Sequence, residues 1–221
     1  MHFYVLDAFP RGPADTCAEK GKGYNFGDAS LCPKCGACIG MLTWLPPFRV
    51  VLKLYGTEFG DFAFLGASDE VLVSQRFKEI YEGTGLTGLP AFDPVEILKV
   101  KSRRRKRPNP PAYFRVAVPY SRTAIDLTAS EFEWLEPPTC SYCHTANIVR
   151  WKRLIVEEGT WTGEDIFRPR GMPGEFVVSE RFKDTCDTHH LTNAVFHPAE
   201  SYGRDFYPWL KDPSDLNRLP Q

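Results

Sequence analysis

The chain has 221 residues, a formal net charge of −1, 43% apolar and 14% aromatic residues, all ordinary for a folded globular protein with a substantial core. Its first residues, Met1 to Asp7, lack the basic start and long apolar run of a secretory signal. The best membrane-span candidate, Cys38 to Phe48, is broken by Pro46-Pro47 and stopped by Arg49, so the expectation is a cytoplasmic protein with no membrane partner. In a reducing compartment, paired cysteines favour metal over disulfide.

In chain order, Phe3 to Leu6 reads as an opening strand, and the glycine-rich stretch Gly21 to Gly27 as a loop before a cysteine knuckle. That stretch lacks the Gly-Lys-Ser/Thr ending of a phosphate loop. Cys32-Pro33-Lys34-Cys35 follows, with Gly36 to supply a positive φ. Phe48 to Tyr55 is a second strand. Ser74 then caps a helix whose Phe77, Ile80 and Tyr81 share one face, and Gly83 and Gly85 end it. Phe92 to Val100 returns to the sheet.

The second half repeats this order. Tyr113 to Val118 is an opening strand, Cys140-Ser141-Tyr142-Cys143 is a second knuckle ending in His144, and Lys152 to Val156 is the counterpart of the 48–55 strand. Ser179 caps a second helix, and Phe196 to Tyr202 returns to the sheet. Specific matches run through both halves. Cys32 recurs 108 residues later as Cys140, Trp44 as Trp151 and Gly56-Thr57 as Gly159-Thr160. Val73 to Lys78 recurs as Val178 to Lys183, Leu86-Thr87 as Leu191-Thr192, and Phe92 and Pro94 as Phe196 and Pro198.

The expected fold is therefore α+β, a tandem duplication of a strand–zinc knuckle–strand–helix–strand unit. Residues 1–100 form the first repeat, 101–111 a basic, proline-rich linker, and 112–221 the second repeat. Two Cys-x-x-Cys turns facing each other give the tetrahedral thiolate set of a structural zinc ion, so Cys32, Cys35, Cys140 and Cys143 are the candidate ligands, with each half donating one pair. The two small lobes would then meet at one interface.

The remaining features carry less. Six of the 27 basic residues lie in Lys101 to Arg107, leaving 21 against 28 acidic residues elsewhere. A basic cluster beside prolines reads as a solvated linker, and the acidic remainder disfavours nucleic acid. Cys38 has no counterpart in the repeat, Cys17 and Cys186 lack partners, and adjacent His189 and His190 point apart, as surface histidines do. No catalytic signature is present, and no toxin-contact residue can be named from one sequence.

The opening Phe3 to Asp7, Cys32 to Gly36, Trp44 to Pro47, Pro110 to Tyr113, Ala124 to Trp134 and both Ser-x-Arg-Phe helices resemble the double-CXXCG motif proteins, a myxobacterial family. The second motif departs from that pattern, with His144 in place of glycine. The resemblance implies a cytoplasmic, non-enzymatic immunity protein of the kind associated with the SitA swarming-inhibition toxins. Its partner would be the C-terminal domain of a toxin encoded by the adjacent gene, neutralised by binding. A zinc-ribbon nucleic-acid binder is the alternative, and a thiol oxidoreductase using Cys32-Pro33-Lys34-Cys35 is a third reading.

Overall fold

The computed structural model describes residues 1–7, 12–66, 68–103 and 108–206. In chain order the strands begin with β1 (Phe3–Asp7), β2 (Thr16–Lys20), β3 (Asn25–Leu31), β4 (Cys38–Leu45), β5 (Arg49–Leu54), β6 (Phe62–Phe64) and β7 (Glu70–Ser74). Helix α1 (Gln75–Thr84) leads to β8 (Asp93–Pro94), β9 (Glu96–Ser102), β10 (Tyr113–Ala117) and β11 (Tyr120–Ala124). Then follow β12 (Glu133–Trp134), β13 (Ile148–Trp151), β14 (Ile166–Arg170), β15 (Phe176–Ser179), helix α2 (Glu180–Thr188), β16 (Val195–Pro198) and β17 (Arg204–Asp205). The described residues are thus mostly β with two short helices, a coarser architecture than the expected α+β unit.

A seven-stranded sheet runs β8-β10-β7-β6-β2-β5-β9, and a five-stranded sheet runs β11-β14-β15-β1-β16. The order reveals an exchange. Strand β10, from the second half, pairs with β7 and β8 of the first, with Tyr113 opposite Ser74 and Phe114 opposite both Val73 and Pro94. Strand β1 does the reverse: Phe3 lies opposite Ser179, and Tyr4 opposite Val178 and Pro198. Each half therefore lends its opening strand to the other half's sheet. This differs from two self-contained lobes meeting at one interface.

The helices explain why Ser-x-Arg-Phe recurs. Ser74 and Ser179 accept from Phe77 N–H and Phe182 N–H, capping α1 and α2. Each serine hydroxyl also donates 2.7 Å to a buried carboxylate, Ser74 to Asp61 and Ser179 to Asp165. Asp61 accepts as well from Arg76 at 2.9 Å and from the N–H and hydroxyl of Thr192, in the other half. Asp165 accepts from Arg181 and from the N–H and hydroxyl of Thr87. The two arginines then cross over. Arg76 donates to the carbonyls of His189 and His190 just beyond α2, and Arg181 to those of Thr84 and Gly85 at the end of α1. A cation at a helix C-terminus is favourable for the helix dipole.

Between these brackets lies the main core. Phe77 and Phe182 meet with ring centroids 6.0 Å apart, amid Phe62, Val73, Ile166 and Val178. Tyr81 and Cys186 complete the helix faces, so Cys186 is a packed thiol. Two flanking cores back the sheets. One holds Trp44, Leu52 and Tyr113, and the other Phe132, Trp151 and Leu154.

Three expectations need correction. Lys152 to Val156 is not a regular strand: β13 ends at Trp151, and only an isolated bridge joins Val156 to Ile125. The 21–27 loop is shorter, because Asn25 already belongs to β3. The basic run begins inside β9, where Lys101 and Ser102 pair with Lys53 and Leu54, and the rest of that run, residues 104–107, lies outside the described residues.

Removing either bracket carboxylate strands a buried serine hydroxyl and a threonine amide from the opposite half. Asp165→Ala should lower unfolding stability by about 2–4 kcal/mol, with the half-exposed arginines adding little. Asp61→Ala should match it within about 1 kcal/mol if the brackets are equivalent. Urea denaturation measures both, and a loss of a few tenths would show that water replaces the bracket.

Candidate metal centre

The first knuckle sits at the tip of the β3–β4 hairpin. Cys32 N–H donates to the Ala37 carbonyl at 2.8 Å and Gly36 N–H to the Cys32 carbonyl at 2.9 Å, with Gly36 at φ 74°. The second knuckle lies between β12 and β13. There His144 N–H donates to the Cys140 carbonyl at 3.1 Å, and His144 takes φ 54°. The left-handed conformation expected of both residues is present. His144 tolerates it with its ring Nε2 2.9 Å from the Ser141 carbonyl oxygen.

The structure brings the four predicted cysteines together. The sulfurs of Cys32, Cys35, Cys140 and Cys143 all lie within 4.8 Å of one another, with Cys32–Cys140 at 3.9 Å and Cys35–Cys143 at 3.6 Å. Bonds of about 2.3 Å to a tetrahedral ion would place thiolates about 3.8 Å apart, whereas a disulfide needs about 2.05 Å. The spacing fits one metal ion and no disulfide. Cys38 and Cys17 stand outside the cluster, on β4 and β2, and His189 and His190 are exposed beyond α2.

The surroundings suit an anionic tetrathiolate. The N–H groups of Cys143 and Tyr142 hold the Cys140 thiol down at about 6. At the exposed Cys35 the Ala37 N–H works in the same direction, but the neighbouring sulfurs push that thiol up to about 12. A divalent cation held by Cys32, Cys35, Cys140 and Cys143 would take them as thiolates and displace their protons. Tyr120 packs on the cluster with its buried hydroxyl lacking a hydrogen-bond partner. Burial and then Cys143 raise its pKa, so it stays a neutral O–H, a donor suited to thiolate sulfur. The cations Lys34 and Arg170 lie 5.5 Å and 5.3 Å from the centre of the Tyr142 ring.

A second set of contacts, not anticipated from spacing, holds the first knuckle's hairpin against the body. Arg168 on β14 is 4% exposed and pairs with Asp69 at 2.8 Å. It also donates to the carbonyls of Val118 and of Ile39 on β4. Asp69 accepts from Met41 N–H at 2.7 Å, and Glu70 from Trp44 N–H at 3.3 Å. Burial by itself would raise Glu70, yet Ser68, Lys20 and Arg115 hold its carboxyl below the usual range. Gly40 is required here, because a Cβ would sit 2.6 Å from the Asp69 carboxylate. Arg168 is far in sequence from Asp69 and Glu70, and the three belong to no motif. The bracket aspartates were more accessible: Asp61 and Asp165 each precede an apolar strand in matching positions.

Relieving the positive φ at the second knuckle tests its geometry. His144→Gly should leave metal content unchanged and raise the thermal midpoint, by the equivalent of at most about 1 kcal/mol. A fall instead would show that the ring's contact with Ser141 outweighs the backbone strain.

No curated protein shows significant similarity to the chain. A family model described as an immunity protein family, Imm11, matches residues 63–201, well over half of the sequence. The matched span contains both helices, Asp165 and the second knuckle, and the first knuckle lies before it. With this much of its length matched, the chain belongs to the Imm11 family of immunity proteins.

Proposed function

We propose that this protein resides in the cytoplasm and binds the C-terminal domain of a toxin delivered by neighbouring cells, blocking the toxin by occlusion. The family match over residues 63–201 carries this reading, because an immunity family implies a cognate toxin. Neutralisation by binding requires a rigid complementary surface and no chemistry of its own. The exchanged strands and reciprocal brackets supply that rigidity. Within this reading, the chain is a tandem duplication akin to the myxobacterial double-CXXCG proteins, of the type acting against SitA toxins. Cys32, Cys35, Cys140 and Cys143 hold one structural zinc ion that ties the halves together, and the four-sulfur cluster supports that assignment.

Elemental analysis of anaerobically purified protein should find about one zinc per chain. Cys140→Ser should lose the metal and melt at a markedly lower temperature, as should wild-type protein treated with a strong chelator. Metal-free wild-type protein with an unchanged melting curve would remove zinc from the proposal.

Calorimetry with the C-terminal domain encoded immediately upstream tests the partner. One-to-one binding in the nanomolar range, about −12 kcal/mol, is expected. Folded, metal-loaded protein that ignores this domain but binds DNA or RNA with steep salt dependence would favour the nucleic-acid reading instead.

A further inference from the structure

Eleven large apolar side chains are exposed among the described residues, and six of them fall on or beside the β3–β4 hairpin: Tyr24, Phe26, Leu31, Met41, Leu42 and Leu45, each 39% to 56% exposed. Along both strands, Asp28 is the sole charged residue, in a chain that is 25% charged. An apolar concentration of this kind on a soluble protein marks a contact surface. We propose that the cognate toxin domain docks on this hairpin, laying an extended apolar segment along β3 with a basic residue facing Asp28. The inference rests on the immunity reading and names the surface that reading requires.

Two observations select this place and this occupant. First, the hairpin is an unusually well-supported projection. The cysteine cluster grips its tip, and Asp69, Glu70 and Arg168 hold β4 from below. A surface fixed before binding loses little conformational entropy on complex formation. Second, β3 pairs with β4 on one side, and no strand among the described residues pairs with its other edge. A free edge accepts an added strand through main-chain hydrogen bonds.

The same strand argues against a second copy as occupant. Asp28 is the central residue of β3 (Asn25–Leu31). Symmetric antiparallel pairing of two β3 strands about their midpoint would set Asp28 against its own copy. Like charges directly opposite are unfavourable, and an inserted charge is a common guard on an edge strand. A lysine or arginine on a toxin strand converts that guard into an ion pair.

The experiment titrates the full-length, zinc-loaded chain with the domain encoded upstream, and follows hydrogen exchange in the wild-type complex. Residues 25–31 should gain protection on binding. Tyr24→Lys/Leu42→Lys should weaken affinity at least about 100-fold with zinc content and melting temperature unchanged. Asp28→Lys should weaken it about 10-fold, chiefly through slower association. Tyr55→Lys, an exposed site at the far end of β5, should change affinity less than about threefold. A double variant that binds as wild type, or unchanged exchange in β3, would place the toxin elsewhere and overturn this inference alone. Light scattering that shows a toxin-free dimer split by Leu42→Lys would also overturn it, in favour of a second copy. Failure of wild-type protein to bind the domain would remove the immunity reading for that neighbour, and this inference with it.

Discussion

The structure turns on a buried carboxylate that serves both halves at once. Asp61 fixes the serine that caps its own half's helix and, with its other oxygen, takes an amide and a hydroxyl from Thr192. Asp165 does the same with Ser179 and Thr87. A carboxylate accepting this many donors is stable in a buried place only while every donor stays put. Helix start, helix end and inter-half contact therefore form or fail together. The arginines extend the logic, since each joins one helix's first turn to the other helix's last carbonyls.

The cysteine cluster is the second tie between halves, and it differs in kind. The brackets lie beside the central aromatic core, where burial and hydrogen bonding suffice. The knuckles occupy loops with little core of their own: Ile39 and Ala37 meet Tyr120 and Tyr142 around the sulfurs and little else. A small apolar set of that size cannot order two loops against their chain entropy. A metal ion on the four sulfurs would supply the missing tie, and the Arg168–Asp69 pair already seats the first hairpin on the second half's β14.

Much of this was legible in the residues, for identifiable reasons. Cysteine spacing reports a site because thiolate geometry restricts it, and Ser74 and Ser179 report helix starts because capping has a local signature. The recurrence of Leu86-Thr87 as Leu191-Thr192 was visible without a meaning; the brackets supply one. The strand exchange was not legible. Strands β1 and β10 have the same apolar character whichever sheet they join, and pairing partners distant in sequence leave no periodicity to read. The counterpart of β5 failed for a related reason. Lys152 to Val156 has strand-like residues, but Lys152 and Arg153 turn to Glu131 and Leu154 donates to Ala199, leaving no ladder for them. The hairpin β3–β4 escaped notice because most of its large apolar side chains are exposed, with only Ile39 and Trp44 buried, against the pattern by which strands are recognised.

The exchanged opening strand also sets an order in time. Residues 3–7 leave the ribosome long before their partners in β15 and β16, which span residues 176 to 198. For most of synthesis that strand has nothing to pair with, and the long loop it must close slows folding. The first sheet is in the same position until β10 arrives. A chain made only as far as α2 cannot yet complete the five-stranded sheet around its first strand, so the architecture closes only after synthesis has passed residue 198.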